Sequence, residues 1–177
     1  MRAVSVDRIA AEAEVGKMTL YRHFTSKDEL VVAALEGADA PARAALAAAI
    51  ERAGQDPWAR LLAPFAMLEP WFTGPSFHGC PFMSASLELH DPGHPAVAVA
   101  ARHKAATRDV FATGARAAGL ATDDAEELAD ELALIFDGAI AQAQIRDPRA
   151  VARAALAAAR TLVVALRQAP ANRVGEA

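Results

Sequence analysis

The sequence predicts an all-α protein. Alanine is abundant, β-branched residues are sparse outside a few short runs, and charged residues interrupt the apolar stretches at helical spacing. No alternation of apolar and polar residues is long enough to form a sheet. With 177 residues, 54% of them apolar, the chain can build one or two domains around a continuous core, so disorder is not expected.

Two short helices joined by a tight turn are predicted near the N-terminus. Ser5 is the expected N-cap of the first, because apolar residues follow it at positions i, i+3, i+4 and i+7 through Ala13. A break follows at residues 14–16, and a second short helix is predicted from Lys17 to about Phe24. This arrangement is typical of a helix-turn-helix, which by itself is only a weak indication of DNA binding.

A long third helix is predicted from Lys27 toward Arg52. It is preceded by Ser26 and Glu29, which have the spacing of a capping box. In that arrangement the Ser26 hydroxyl accepts a hydrogen bond from the Glu29 amide, and the Glu29 carboxylate accepts one from the Ser26 amide.

Two later helices are predicted from an aspartate followed by a proline at the first helical position. Asp56 and Pro57 begin a helix that extends to about Phe72, with kinks or an early end at two internal prolines, Pro64 and Pro70. Asp147 and Pro148 begin the last helix in the same way.

Three further helices are predicted between these two. A turn-rich segment at residues 73–81 precedes a short helix over residues 82–89, and Pro95 begins a helix that extends to about Ala118. Asp123 and Glu126 predict a second capping box, which opens a helix to about Arg146. We expect the tail at residues 170–177 to be disordered.

Composition excludes several classes of protein. The net charge of −4 argues against a protein that coats nucleic acid through its overall field, and residues 1–30 carry five basic and five acidic side chains. Since no stretch approaches about eighteen uncharged apolar residues and no signal peptide is recognisable, we expect a soluble, cytoplasmic protein without a membrane partner. The single cysteine, Cys80, excludes an internal disulfide.

Three runs near the N-terminus carry a more specific signal: SVDRIAAEA at 5–13, TLYRHF at 19–24 and SKDEL at 26–30. Their residue types and spacing closely resemble the signature of the TetR/AcrR family of bacterial transcriptional regulators. The segment from Gly79 to Pro95 is similar, less specifically, to the C-terminal domains of one TetR subgroup. The resemblance implies a DNA-binding domain at 1–36 that includes the start of the linker helix, and an effector-binding and dimerisation domain at 37–169.

The resemblance also implies DNA-binding roles. Lys17, Met18 and Thr19 would lie at the N-terminus of the recognition helix, from which side chains reach base edges in the major groove. Tyr21 and Lys27 match positions that contact phosphates, where a phenol hydroxyl and an ammonium group are suitable donors. The remaining candidates are Ser5, Arg22 and His23. The alternative is that Tyr21 and His23 only cover a small core.

The sequence departs from the family pattern at several positions. Glu14, Gly16 and Met18 stand where the family usually has Gly, Ser and Gly, and Glu14 would cost about 1 kcal/mol if the turn requires a positive φ. Family members also carry a helix before Ser5, where this sequence has only residues 1–4. We expect a missing leader segment; the alternative is a helical ligand-binding or interaction protein that has lost DNA binding with that helix.

Aromatic and sulfur-containing side chains concentrate in the middle of the chain. By the family resemblance they predict a pocket for a small, partly apolar effector, whereas the alternative is ordinary core packing. The predicted pocket residues are Phe65, Met67, Leu68, Trp71, Phe72, Cys80, Phe82, Met83, Phe111 and Phe136.

The last two helices predict a homodimer. Both have an apolar stripe and many alanines, whose small size lets helices approach closely, and in the family these helices form the dimer interface. The alternative is a monomer that packs them internally. The predicted interface residues are Leu132, Phe136, Ala139, Ala155, Ala158, Leu162 and Leu166.

The histidines and the cysteine do not predict catalysis. His90 and His94 are four residues apart, but the intervening Pro92 and Gly93 prevent them from sharing a helical face. Cys80 has no recognisable orienting partner or oxyanion element. We therefore expect no enzyme activity, metal site or cofactor, and expect operator DNA, an effector and a second copy of the chain as partners.

Overall fold

The computed structural model describes residues 5–168, and within that range it confirms the all-α class, with nine helices and no strand. The helices are α1 Val6–Glu12, α2 Lys17–His23, α3 Lys27–Arg52, α4 Pro57–Ala66, α5 Leu68–Phe72, α6 Pro81–Leu89, α7 Pro95–Ala117, α8 Thr122–Gln142 and α9 Pro148–Gln168. The predicted disordered tail at 170–177 lies outside the described residues. No helix between residues 5 and 168 is both long enough and apolar enough to cross a bilayer.

The helices are divided between two compact units. The first consists of the residues up to Ala44 together with Cys80–Ala106, and the second of Ala45–Gly79 together with the residues from Thr107 onward. The first unit therefore contains α1, α2 and α6, and the second contains α4, α5, α8 and α9. In the second unit α9 packs against α8, α4 and α5. The long helices α3 and α7 each contribute residues to both units.

Most of the predicted helix starts are confirmed. The Ser5 hydroxyl accepts a hydrogen bond from the amide of Arg8 at 3.2 Å. Asp56 caps α4 through the amide of Trp58 at 3.1 Å, and Asp147 accepts from the amide of Arg149 at 3.0 Å. These caps form because they depend only on residues close in sequence.

The capping box at the start of α3 is only half confirmed. Ser26 accepts from the Glu29 amide at 3.1 Å as predicted. The Glu29 carboxylate, however, accepts from the amide and the hydroxyl of Thr25, at 2.6 and 2.7 Å, instead of from the Ser26 amide. Thr25 offers two donors to one carboxylate oxygen, and the hydrogen bond from its hydroxyl lowers the pKa of Glu29.

The predicted capping box of α8 is wrong. Ala121 is the N-cap and makes no side-chain hydrogen bond. The Glu126 carboxylate instead accepts from the guanidinium groups of Arg108 and, at 2.5 Å, Arg116, while Arg108 also bonds Asp130 at 2.7 Å. Hydrogen bonds from Arg108 lower the pKa of both Glu126 and Asp130. Two arginines of α7 are stronger partners for Glu126 than a single backbone amide.

The prolines shorten the helix predicted up to Phe72. It is interrupted at Met67, so that α4 and α5 are separate helices. Pro64 lies inside α4, and Pro70 lies in the short α5. Helix α8 also ends earlier than predicted, at Gln142 instead of Arg146.

The turn between α1 and α2 contains a strained residue. Glu14 has a φ of +54°, a left-handed conformation that favours glycine. We therefore expect Glu14→Gly to raise the free energy of unfolding by about 1 kcal/mol, as measured by urea denaturation. Ala11→Gly, within α1, is the control and should lower it by about 0.5 to 1 kcal/mol. A loss of stability in both variants would refute the strain at Glu14.

Candidate nucleic-acid interface

Helices α1 and α2 form the predicted helix-turn-helix. The turn between them is closed by a hydrogen bond of 3.0 Å from the Val15 amide to the Ala10 carbonyl, and Gly16 is the N-cap of α2 without a side-chain bond. Leu20 and Phe24 are the half-buried residues at the end of this motif. Because an α-helix repeats every 3.6 residues, covering Leu20 and Phe24 leaves the opposite side of α2 open to solvent.

The exposed residues of α2 form a mostly polar and basic surface, which we call the recognition face. It consists of Lys17, Met18, Thr19, Tyr21, Arg22 and His23, all of which are exposed. Met18 is 81% exposed and Tyr21 44%. Tyr21 and His23 therefore present solvent-accessible surface, although more than half of Tyr21 is covered.

Lys17 on the recognition face is paired with an acid that the sequence analysis did not single out. Its ammonium nitrogen lies 2.6 Å from Oδ1 of Asp7 on α1, and this hydrogen bond raises the pKa of Lys17. Both side chains are more than half exposed, so the pair is worth little in water. Separating the two side chains therefore costs little energy.

The other predicted phosphate contacts lie at helix starts. Lys27 is the first residue of α3 and is half-buried, and Ser5 caps α1 with its side chain exposed. The first backbone N–H groups of a helix point out of its N-terminal end and favour an anion there. Ser5 and Lys27 thus have chemistry suited to a phosphate, in the same unit as the recognition face.

His94, the residue before α7, lies close to the beginning of α3. His94 is 10% exposed, and its Nδ1 accepts a hydrogen bond from the amide of Ala96 at 3.1 Å. Its Nε2 lies 3.4 Å from Oδ1 of Asp28, the residue after Lys27. This approach, which is not a hydrogen bond, brings together residues 66 positions apart in sequence, and no local pattern indicates it.

His103 also has a specific structural environment. Its Nδ1 lies 2.7 Å from Oδ1 of Asp39, and its ring stacks on Phe82 with centroids 3.7 Å apart. The hydrogen bond with His103, followed by the charge of Arg43 at 2.8 Å, lowers the pKa of Asp39. Only the Asp39–Arg43 spacing of i, i+4 was visible in the sequence.

The predicted pocket residues are distributed over both units. In the second unit Phe65, Phe111 and Phe136 pack against one another, with centroid separations of 5.6 to 5.9 Å. In the same unit, Leu68 and Phe72 are also buried, and Met67 is half-buried. The ring of Trp71 packs on that of Phe72. In the first unit Cys80 and Phe82 are buried and Met83 is half-buried.

The predicted interface residues differ in their exposure. Four of them, Leu132, Phe136, Ala139 and Ala155, are at most 7% exposed in a single chain. Ala158 is exposed, and Leu162 and Leu166 are half-buried. The large apolar residues that are open to solvent in α8 and just after it are Leu134, 74% exposed, and Ile145, 79% exposed.

No group of three or more His, Cys, Asp or Glu side chains suited to a metal ion occurs within residues 5–168.

Comparison with known proteins identifies the family. Residues 1–34 match the family model of the bacterial regulatory proteins of the tetR family. A TetR-family transcriptional regulator from Streptomyces coelicolor is 30% identical, with a TM-score of 0.85, over 94% of this chain and 86% of that protein. A TetR transcriptional regulator from Streptomyces avermitilis is 32% identical, with a TM-score of 0.75, over 92% and 87%.

A third solved structure shares the fold. The reduced form of Escherichia coli NemR has a TM-score of 0.79 at 20% identity, over 90% of this chain and 86% of that one. No curated protein matches the chain in sequence. With about a third of residues identical to two regulators over nearly the whole chain, this protein belongs to the TetR family of transcriptional regulators.

Proposed function

We propose that the protein is a repressor that holds operator DNA through the recognition face and releases it when a small molecule binds. The observation that carries the DNA-binding part is the exposure of Lys17, Met18, Thr19, Tyr21, Arg22 and His23 on one short helix. Exposed donors at the start of such a helix fit the width of the major groove. Residues 1–36 form the DNA-binding domain in this proposal, and the protein acts without enzymatic activity or a cofactor.

We further propose that two copies of the chain bind one operator. The proposed dimer face consists of Leu134, Gly138 and Ile145 on or after α8, and Ala154, Ala158, Thr161 and Ala165 on α9. All seven residues are exposed. The α9 residues recur at helical spacing, so they share one side of that helix. Small side chains there permit the close helix approach of a four-helix bundle made by two subunits.

Release of DNA follows from the geometry of two half-sites. Two recognition helices reading one face of DNA must be about 34 to 36 Å apart. An effector that changes this separation would weaken binding, typically by about 5- to 150-fold, and DNA would weaken effector binding by the same factor. Calorimetric titration of a candidate effector with and without operator measures this reciprocity, and equal affinities would exclude that compound as the effector.

DNA binding is tested by selecting duplexes from a random pool with the full chain. We expect one enriched sequence with two related half-sites. Lys27→Ala and Tyr21→Phe should then weaken binding to every duplex similarly, and Lys27→Ala should reduce the slope of log affinity against log salt by about 1. Met18→Ala should change the selected sequence instead, because base contacts carry specificity.

Two results would contradict this assignment. If the pool yields no enriched sequence, the protein is a helical ligand-binding member that does not read DNA. If Lys27→Ala leaves both affinity and the salt slope unchanged, Lys27 does not contact phosphate. Arg153→Ala, an exposed charge removal on α9, is the control for a general loss of positive charge.

A further inference from the structure

The second unit contains a groove that neither DNA binding nor the proposed dimer uses. It lies along the end of α3, α4 and α9 and has a volume of about 720 Å³, within the range of small-molecule sites. Its floor is apolar and includes Leu62, Ala63, Met67, Leu156 and Val163. We call it the arginine groove, because Arg52, Arg160 and Arg167 also line it.

The three arginines give the groove an excess of positive charge. Within residues 5–168, none of their guanidinium groups has an ion pair or hydrogen bond, whereas Arg43, Arg102, Arg108 and Arg116 are all paired. The one acid that lines the groove is Asp56. Its carboxylate caps α4 by accepting a hydrogen bond from the amide of Trp58. Three free guanidinium groups beside an apolar floor favour a ligand with an anionic group.

The groove and the proposed dimer face occupy different sides of α9. Leu156, Arg160, Val163 and Arg167 recur at i, i+4, i+7 and i+11, which aligns them along one side of the helix. At 100° per residue, this side is turned more than 120° from the one that carries Ala154, Ala158, Thr161 and Ala165. A second copy of the chain docked on the alanines would face away from these four residues, while Val164, which also lines the groove, lies between the two sides.

We propose that the arginine groove binds a free long-chain carboxylic acid. The hydrocarbon chain lies on the apolar floor, and the carboxylate lies among the guanidinium groups, which match its two oxygens in shape and charge. An uncharged hydrocarbon would leave the arginines unused, and a small anion would leave the apolar floor exposed. This inference goes beyond the proposed DNA binding and stands or fails without it.

Tryptophan emission provides a direct measurement, because one of the two tryptophans lines the groove. In the full chain carrying Trp71→Phe, Trp58 is the only tryptophan. Titration with dodecanoate below its micelle concentration should produce a saturable change in emission. In the matched Trp58→Phe variant, Trp71 reports from its contacts with Phe72 and Phe77, and it should not respond.

The charge of the site is tested in the Trp71→Phe background. Arg160→Ala combined with Arg167→Ala should weaken dodecanoate binding by about tenfold or more. Arg149→Ala combined with Arg153→Ala removes two exposed arginines of the same helix that do not line the groove, and should leave the affinity unchanged. Circular dichroism of both double variants checks that α9 remains folded.

The ligand itself is varied in parallel. Dodecanol should bind about tenfold or more weakly than dodecanoate, and each methylene added from octanoate to dodecanoate should strengthen binding by up to about fourfold. The proposal is overturned if dodecanol equals dodecanoate, if the groove double variant binds as well as the control, or if only vesicles of anionic lipid, and not the monomeric acid, change Trp58 emission.

Discussion

Leu134→Glu is expected to separate the protein into single subunits. Leu134 is 74% exposed on α8 and belongs to the proposed dimer face. In an isologous interface the substitution occurs twice, and it would bury two carboxylates that have no partner. Burying each unpaired carboxylate costs several kcal/mol, so the two together strongly oppose association of the subunits. Light scattering across a concentration series measures the change in mass.

The same variant should lose operator binding, because a monomer occupies only one half-site. We expect the affinity for the selected duplex to fall by about a hundredfold or more. Leu87→Glu is the matched control, since Leu87 is 66% exposed on α6 in the other unit and undergoes the same change of charge. A Leu134→Glu protein that remains a dimer would remove this face from the interface.

Phe111→Ala is expected to cause the largest loss of stability among the substitutions considered. Phe111 is 0% exposed and packs between Phe65 and Phe136, at centroid distances of 5.6 and 5.9 Å. Truncation removes ring contacts and leaves a cavity that the neighbouring rings fill only partly. We expect the free energy of unfolding, measured in urea, to fall by about 3 to 5 kcal/mol.

This measurement also separates core packing from a ligand pocket. A side chain that lined an open, water-filled pocket would cost little to truncate, because no close contacts would be lost. Phe77→Ala is the control: Phe77 is half-buried at the edge of the Trp71 and Phe72 cluster, and we expect about half the loss or less. A loss below about 1 kcal/mol for Phe111→Ala would favour the pocket.

Local signals were sufficient for most of the helices. Ser5, Asp56 and Asp147 cap helices that the sequence predicts. Each of these caps depends only on residues within three positions of it. The break near Pro64 and Pro70 was also visible, because proline removes a helical donor wherever it stands. The residues of the recognition face were named from the family signature.

Long-range pairing was not predictable from the sequence. Glu126 has the spacing of a capping residue but bonds Arg108 and Arg116 of another helix. Asp28 and Asp39 likewise meet His94 and His103, which lie more than sixty positions away. The spacing of charges along one helix does not indicate which neighbouring helix will supply the counter-charge.

The sequence by itself determined that this is an all-α member of the TetR family with an N-terminal helix-turn-helix. Only the tertiary structure decided which apolar residues are core and which are surface, as at Leu132, which is fully buried, and Leu134, which is 74% exposed. Alanine is present on nearly every side of α9, so its periodicity identifies several possible faces with little to choose between them. The face that is covered depends on which helices the chain brings against it.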